Sequence, residues 1–203
     1  MTRTRKRPAK QWARPTTTTA RSKRGSTWLG WAAFALPVVG LVAVVVFGGS
    51  DGTNGDATTG SDAPPFDLPA TDGSRQTLDS VLADGDALLY FSMGPGCDGC
   101  FAQIPEIEEA LAERGITLVP VMVDPGVVVG AEAQRFGITT PILIDADRAV
   151  SNAYEMIGVY GHRNRPSHSF ALVNQDDATI TWVKHYAEMF IPKEQLLAEL
   201  GSA

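Results

Sequence analysis

Negative charge is missing from the N-terminal part of this chain. No Asp or Glu occurs before Asp51, whereas nine of the 17 Lys and Arg residues lie within residues 1–24. The rest of the chain has 8 basic and 23 acidic residues, a formal charge of −15. An acidic body argues against nucleic acid as the main partner, because neutralising phosphates requires Lys and Arg on the folded surface. We therefore expect no nucleic-acid partner.

Charge of either sign is absent from residues 28–47, WLGWAAFALPVVGLVAVVVF. A helix of this length is about 30 Å long, enough to cross the hydrocarbon core of a membrane. Trp28 and Trp31 lie where an interfacial aromatic belt is expected. A cleaved signal peptide is the alternative, but its apolar region is usually about 7–15 residues long and an A-x-A-like site follows it. Since neither feature is present, we predict an uncleaved transmembrane helix.

The charge distribution around this helix predicts its orientation. Residues 1–27 form a basic tail that the positive-inside rule places in the cytoplasm, so the remainder lies outside. Residues 48–65, GGSDGTNGDATTGSDAPP, have no apolar period and cannot bury enough surface to fold. We expect a single-pass protein of the cell membrane, with a flexible linker over 48–65 and an extracytoplasmic domain over 66–203.

Apolar segments that favour strands alternate with segments of helical period in residues 66–203. Residues 66–78 read as two short extended pieces around a DG turn, and residues 167–173 and 178–185 as a hairpin. The other predicted strands are 86–93, 116–124 and 141–145, and the predicted helices are 97–115, 131–137, 147–158 and 192–200. This order predicts an α/β sheet with helices on both faces.

The chain has only two cysteines, Cys97 and Cys100, in the segment GPGCDGC. A disulfide across two intervening residues closes a very small loop and removes little entropy from the unfolded chain, so it would be a poor structural crosslink. A structural zinc site normally has four ligands, which two of His162, His168 and His185 would have to complete. The spacing of these histidines matches no common zinc finger.

A redox role fits the cysteine pair better. The pair lies between an apolar strand and the start of a helix, the context in which C-x-x-C is typical of a thioredoxin-like site. At a helix N-terminus, free backbone N–H groups favour a Cys97 thiolate. Cys100, nearly one turn later, is placed to attack a mixed disulfide formed at Cys97. Asp98 between them opposes the thiolate by like charge. We predict dithiol–disulfide exchange that needs no metal or other cofactor.

The segment ALLYFSMGPGCDGCFAQIPEIEEAL resembles the active-site strand, turn and helix of the thioredoxin superfamily, and Pro105 matches its helix-kinking proline. The likeness is greatest to membrane-tethered TlpA-like thiol-disulfide oxidoreductases and their redoxin relatives, which are related to the AhpC/TSA peroxiredoxin group. PPFDLPATDGSRQTL resembles the extension before their first core strand. TPILIDADRAVSNAYEMIGV resembles a segment shared with peroxiredoxins, and RPSHSFALVNQDDAT resembles the cis-proline strand and hairpin.

The resemblance implies a thioredoxin-like fold with a central mixed sheet and a set of site residues. Cys97 is the expected nucleophile, Cys100 the resolving cysteine, and Pro166 the cis-proline opposite them. The implied partners are protein thiols or disulfides and a further redox partner. Two positions depart from the family, which usually has Trp where Gly96 stands and Thr, Val or Ile where Arg165 stands. Arg165 either stabilises the Cys97 thiolate or is simply solvated.

Two other functions compete with disulfide exchange. A peroxiredoxin-type peroxidase would use Cys97 to attack peroxide and Cys100 to resolve the sulfenic acid. Its site resembles P-x-x-[TS]-x-x-C, but here Gly94 replaces the hydroxyl residue and Phe91 the proline. A copper-binding chaperone of the thioredoxin fold would bind the metal with the two cysteines and His168. Such chaperones usually have three residues between their cysteines.

The predicted anchor has a direct test. The protein should remain in the membrane fraction after a carbonate wash and should migrate at nearly its full 21.6 kDa, because an uncleaved apolar helix resists extraction. Immunoblotting of the washed fractions measures both properties. A soluble product lacking about the first fifty residues would show that the segment is a cleaved signal peptide.

Overall fold

The computed structural model describes residues 59–201. In this part of the chain the elements run in the following order: β1 (Asp67–Pro69), β2 (Arg75–Thr77), α1 (Leu78–Val81), β3 (Asp86–Phe91), α2 (Asp98–Ala112), β4 (Ile116–Met122), α3 (Gly126–Arg135), β5 (Leu143–Ile144), α4 (Ala149–Ala153), a 3-10 turn (Val159–Gly161), β6 (His168–Val173), β7 (Ile180–Tyr186) and α5 (Lys193–Leu200).

The central sheet is mixed, with the strand order β5-β4-β3-β6-β7. Strands β3, β4 and β5 are parallel and are connected through α2 and α3, whereas β6 is antiparallel to both β3 and β7. Parallel neighbours need a crossover, and a helix is the usual one. Strands β1 and β2 form a separate antiparallel pair. The predicted α/β class with a mixed central sheet is confirmed.

Strand β3 lies at the centre of the sheet and contributes to the core on both of its faces. Ala87, Leu89 and Phe91 pack in one cluster with residues of α1 and α4. Leu88 and Tyr90 pack in the other with residues of α2, α3 and α5. All five side chains are fully buried. Since burying a large apolar side chain stabilises the fold by roughly 1.5–3 kcal/mol, β3 holds both helical layers in place.

The predicted strands and helices are present, with shifted ends. The helix expected over 147–158 ends at Ala153, because Glu155 has a left-handed backbone (φ 59°) and the amide of Met156 donates to the Ser151 carbonyl. Helix α1 was missing from the prediction, although Thr77 and Ser80 form a reciprocal capping box at its start. Pro105 lies inside α2, as predicted.

The folded domain begins before residue 66. The amide of Gly60 donates to the carbonyl of Ile180 at 2.7 Å, and the amide of Ala63 donates to the carbonyl of Ala178 at 2.8 Å. The hydroxyl of Tyr154 donates to the carbonyl of Pro64 at 2.9 Å. Residues 60–64, which the composition assigned to the linker, therefore pack on the domain. Their backbone groups are satisfied by the hairpin and by Tyr154, partners that lie far away in the sequence and that composition does not reveal.

The predicted transmembrane helix at 28–47 and the basic tail at 1–27 lie outside the described residues. Within residues 59–201, no helix is both long enough and apolar enough to span a bilayer.

Candidate redox site

Both cysteines lie at the beginning of α2, directly beyond the end of β3. Residues 92–96 form the turn between the two elements, and Cys97 is the N-cap of the helix. Cys97 and Cys100 are joined by a disulfide, with their Cα atoms 5.3 Å apart. The thiol pair is therefore positioned by the central strand on one side and by a helix N-terminus on the other.

The helix N-terminus provides a hydrogen-bond donor to the Cys97 sulfur. The amide of Cys100 donates to Cys97 Sγ at 3.2 Å. Free amides and the helix dipole at this end stabilise negative charge, so the same sulfur would be stabilised as a thiolate after reduction. Cys97 is 5% exposed and Cys100 is fully buried. A nucleophilic Cys97 is expected to be exposed, but in the disulfide form this residue is largely covered, although it is the more accessible of the two cysteines.

Asp98, between the cysteines, is paired with a cation from another helix. Its Oδ1 lies 2.5 Å from Nη2 of Arg135 in α3. Arg135 also bonds Glu132, and its guanidinium lies 4.4 Å from the ring centroid of Phe136. The hydrogen bond that Arg135 donates to Asp98 is the largest cause of the raised pKa of Arg135. The charge of Asp98 is thus partly compensated, which weakens the like-charge effect expected on Cys97.

Arg165 binds the turn that precedes Cys97. Its guanidinium donates two hydrogen bonds to the carboxylate of Asp124, both at 2.7 Å, and one to the carbonyl of Met93 at 2.6 Å. The side chain is 35% exposed, and the hydrogen bond with Asp124 raises the pKa of Arg165. Within residues 59–201 the hydrogen bonds of Arg165 go to Asp124 and to the turn, not to the Cys97 sulfur. Electrostatic stabilisation of a Cys97 thiolate by Arg165 stays a prediction.

Gly94 occupies a position that has no room for a side chain. Its backbone is left-handed (φ +79°), and a Cβ atom built there would lie 2.7 Å from Asp124 Oδ2. Asp124 in turn is held by Arg165 and is only 14% exposed. The carboxylate therefore fills the space where a peroxiredoxin-like motif would place its hydroxyl side chain.

Pro166 does not adopt the predicted cis bond. No peptide bond in the described part of the chain is cis, so the Arg165–Pro166 bond is trans and the prediction is wrong. Trans is the favoured isomer of an X–Pro bond, and here the extended Pro166 pairs with Ile157 in an isolated antiparallel bridge. Because the bond is trans, the main support for placing Pro166 opposite Cys97 is lost.

The histidines do not form a cluster with the cysteines. His168 is fully buried, and both of its ring nitrogens are engaged, Nδ1 with Tyr90 and Nε2 with Gln103. His185 contacts Ser169 through Nδ1. No group of three or more His, Cys, Asp or Glu side chains suited to a metal occurs among residues 59–201. The proposed copper ligand His168 is therefore already committed to protein hydrogen bonds.

Five residues near the site were not identified from the sequence: Tyr90, Gln103, Asp124, Arg135 and His168 in its role as a buried hydrogen-bonding residue. Two of them carry a local signal. Asp124 lies two residues after the end of β4, at the carboxyl edge where the neighbouring β3 leads to the cysteines. Gln103 is a polar residue on the otherwise apolar, buried face of α2. Arg135 has no such signal, because its partner Asp98 lies 37 residues away.

Comparison with known proteins defines the class. The chain belongs to the AhpC/TSA family, whose model matches residues 59–180. The predicted redoxin resemblance is therefore confirmed.

Individual relatives fall into two groups. The thiol-disulfide oxidoreductase ResA of Bacillus subtilis is 30% identical over 101 residues, covering 48% of this chain and 55% of that protein. A candidate peroxiredoxin of Mycobacterium tuberculosis is 28% identical over 109 residues, covering 52% of this chain and 67% of that protein. The chain spans about half the length of the ResA proteins that it matches.

Solved structures show the same fold. The crystal structure of the peroxidoxin BcpB from Mycobacterium tuberculosis superposes with a TM-score of 0.61 at 23% identity, covering 71% of this chain and 97% of that one. AhpC of Enterococcus faecalis gives a TM-score of 0.62 at 15% identity, covering 71% of this chain and 91% of that one. At these identities the likeness establishes a thioredoxin-like α/β fold and nothing finer.

The crowding at Gly94 predicts a difference between two glycine substitutions. Gly73 also has a left-handed backbone (φ +85°), but no atom lies within 4 Å of a Cβ built there. Gly73→Ala should therefore lower the free energy of unfolding by about 1–2 kcal/mol through backbone strain alone. Gly94→Ala should cost at least about 1 kcal/mol more, because Asp124 must move away from Arg165.

Urea unfolding of the two variants measures this difference. Adding Asp124→Ala to Gly94→Ala should remove the extra cost in a double-mutant cycle. Equal destabilisation by the two alanine substitutions would show that the contact with Asp124 does not constrain position 94.

The buried histidine predicts a loss of stability in acid. Burial lowers the pKa of His168 to about 3, whereas an unfolded histidine has a pKa of about 6.5. The unfolded state therefore binds the proton first, and stability falls as the pH drops from about 6.5 towards 3. Between pH 7 and pH 5, His168 should account for a loss of about 2 kcal/mol. Urea unfolding at both pH values should show a larger loss for the wild type than for His168→Asn, and equal losses would contradict a neutral, buried His168.

Proposed function

We propose that this protein is an extracytoplasmic thiol-disulfide oxidoreductase, anchored in the cell membrane by residues 28–47, that acts on protein thiols or disulfides. The observation that carries the proposal is the pairing of Cys97 and Cys100 in one turn at the N-terminus of α2, with Cys97 Sγ accepting the Cys100 amide. The ResA relatives, which are named as thiol-disulfide oxidoreductases, support the same reaction. The acidic body of the chain gives no support to a nucleic-acid partner.

Cys97 is the nucleophile in this proposal. From the reduced state, its thiolate attacks a substrate disulfide, a bond forms between Cys97 Sγ and one substrate sulfur, and the other substrate sulfur leaves as a thiolate that takes up a proton. The helix N-terminus lowers the energy of the attacking anion. Partial compensation of Asp98 by Arg135 removes some of the opposing charge.

Cys100 is the resolving residue. Its thiol loses a proton and attacks Cys97 Sγ, the Cys97–Cys100 disulfide forms, and the second substrate sulfur leaves as a thiolate. The substrate has then gained two electrons and the protein has lost two, so a separate redox partner must reduce the pair again. Run in reverse, the same steps oxidise a substrate dithiol. Full burial of Cys100 suits this role, because a covered thiol reacts with the neighbouring sulfur before it meets an external disulfide.

A thiol peroxidase is the second candidate, favoured by the fold shared with peroxiredoxins. In that reaction the Cys97 thiolate attacks one peroxide oxygen, the O–O bond breaks, and water or an alcohol leaves while Cys97 becomes a sulfenic acid. Cys100 then displaces water to form the disulfide. The environment of Gly94 argues against this candidate, because Asp124 occupies the space that an activating hydroxyl would need.

The two cysteines should be separable by mutation. Cys100→Ser should leave the attack intact and block resolution, so a mixed disulfide between Cys97 and a disulfide-bearing substrate accumulates. Cys97→Ser, the matched control, should trap little or nothing, because it removes the accessible nucleophile. Non-reducing gels and mass spectrometry of each variant measure the adducts.

Two outcomes would count against this assignment. Adducts that form mainly at Cys100 in the Cys97→Ser variant would reverse the two roles. Rapid peroxide consumption by Cys100→Ser, together with no disulfide exchange by the wild type, would favour the peroxidase instead.

A further inference from the structure

A chain of buried hydrogen bonds runs beneath the first turn of α2, and the exchange reaction described above does not use it. The hydroxyl of Tyr90 lies 3.1 Å from the carbonyl oxygen of Cys100 and 2.9 Å from Nδ1 of His168. Nε2 of His168 lies 3.1 Å from Oε1 of Gln103. Gln103 exchanges two hydrogen bonds with the backbone of Ile191, at 2.6 Å and 3.0 Å. Ile191 is 2% exposed and the others are fully buried.

The backbone of Ile191 determines the proton positions in this chain. Its amide donates to Gln103 Oε1 and its carbonyl accepts from Gln103 Nε2, so the amide group of Gln103 cannot be flipped. Oε1 is an acceptor only, and the nitrogen of His168 that faces it must carry a proton. Neutral His168 is therefore protonated at Nε2, and its Nδ1 is an acceptor.

Tyr90 then has one proton and two acceptors. It faces the free lone pair of His168 Nδ1 and the carbonyl oxygen of Cys100. Burial raises the pKa of Tyr90 well above its usual value, so the hydroxyl keeps its proton. Its single proton is shared between these two acceptors in a three-centre hydrogen bond. The carbonyl of the resolving cysteine is thus bonded to a hydroxyl whose position is set by His168, Gln103 and the backbone of Ile191.

The segment before Ile191 also touches the cysteine turn. A Cβ atom built on Gly99 would lie 2.5 Å from the carbonyl oxygen of Met189, so the backbones of the two segments are in close contact. The first turn of α2 is therefore held from beneath by Tyr90 and from the side by residues 189–191. Packed protein interiors transmit such constraints, because they leave little free space for a segment to shift.

We propose that Tyr90, His168 and Gln103 are positioning residues that preorganise the first turn of α2 for closure of the Cys97–Cys100 disulfide. The proposal deepens the exchange function proposed above and rests on it for the role of Cys100. A turn held with the two Cα atoms 5.3 Å apart loses less conformational freedom when the disulfide forms. Preorganisation of this kind favours an intramolecular bond without adding a new contact to it.

Tyr154 provides a matched control for the test. Like Tyr90, it is fully buried and donates its hydroxyl to a backbone carbonyl, that of Pro64 at 2.9 Å. It lies in the other core cluster, away from α2. Tyr90→Phe and Tyr154→Phe each remove one buried hydroxyl, but only Tyr90→Phe releases the cysteine turn.

The test is the equilibrium of the full-length chain with a glutathione redox buffer at pH 7. Tyr90→Phe should lower the equilibrium constant for disulfide formation about fivefold, a rise in reduction potential of about 20 mV at 29.6 mV per tenfold change. Tyr154→Phe should leave the constant within twofold of the wild type. An unchanged constant in Tyr90→Phe, or an equal change in both variants, would overturn the proposal.

Nitrogen-15 NMR of His168 provides a second measurement that does not depend on the variants' stability. The wild type should show a neutral ring protonated at Nε2, and Tyr90→Phe should shift the Nδ1 resonance, because it loses a donated hydrogen bond. A proton on Nδ1 in the neutral wild type, or an Nδ1 resonance that is the same in both proteins, would contradict the network.

These measurements are independent of the substrate-trapping experiment. If Cys100→Ser traps no substrate but Tyr90→Phe shifts the redox equilibrium, the proposed function fails and the positioning network remains. If trapping succeeds and the equilibrium is unchanged, the function remains and the network is rejected.

Discussion

The hydrogen bond from the Cys100 amide to the Cys97 sulfur joins the chemistry of this domain to its fold. It caps α2 at the point where the turn from β3 ends, so the same atoms begin the helix and present the redox pair. Because both faces of β3 are buried, the strand end that carries this turn cannot shift without disturbing two core clusters. The ion pairs and buried polar groups around the cysteines are arranged about this end of β3, whose position is fixed.

Two kinds of interaction surround the first turn of α2, and their energies differ. The Asp98–Arg135 pair is largely exposed, so water and salt screen it and its contribution to stability is small. The Tyr90–His168–Gln103 chain is buried, where an unsatisfied polar group costs about 1–3 kcal/mol. The buried hydrogen bonds therefore constrain the geometry of the first turn of α2, whereas the surface ion pair mainly changes the charge near Cys97. The Arg165–Asp124 pair is intermediate in exposure, and Arg165 binds the turn that precedes Cys97.

Shared fold and shared site chemistry give different information in this family. The fold superposes on peroxiredoxins, and the sequence matches both thiol-disulfide oxidoreductases and a peroxiredoxin, so neither likeness chooses between the reactions. The residues that discriminate are local. Gly94 has no space for a hydroxyl side chain, and the second cysteine lies in the same helical turn as the first. Both observations concern the few residues around Cys97 rather than the architecture.

The local pattern of residues was sufficient for the α/β class, the strand–turn–helix around the cysteines and the hairpin near the C-terminus, because hydrophobic period and spacing are properties of short segments. It also predicted the position of Cys97 at a helix N-terminus. The cis bond that the resemblance implied at Pro166 is not present, and Pro166 instead pairs with Ile157 in an isolated bridge. The local pattern also did not show that residues 60–64 belong to the folded domain, because their hydrogen-bond partners, Tyr154 and the hairpin, are distant in the sequence.

The roles of Arg165, Arg135, Tyr90 and His168 were decided by tertiary structure alone. Arg165 meets Asp124 across 41 positions, Arg135 meets Asp98 across 37, and Tyr90 meets His168 across 78. Charge and hydrogen-bonding capacity are visible in the residue type, but the partner is not. Only the folding of β4, α3 and β6 around β3 and α2 brings these groups within bonding distance of the cysteine turn.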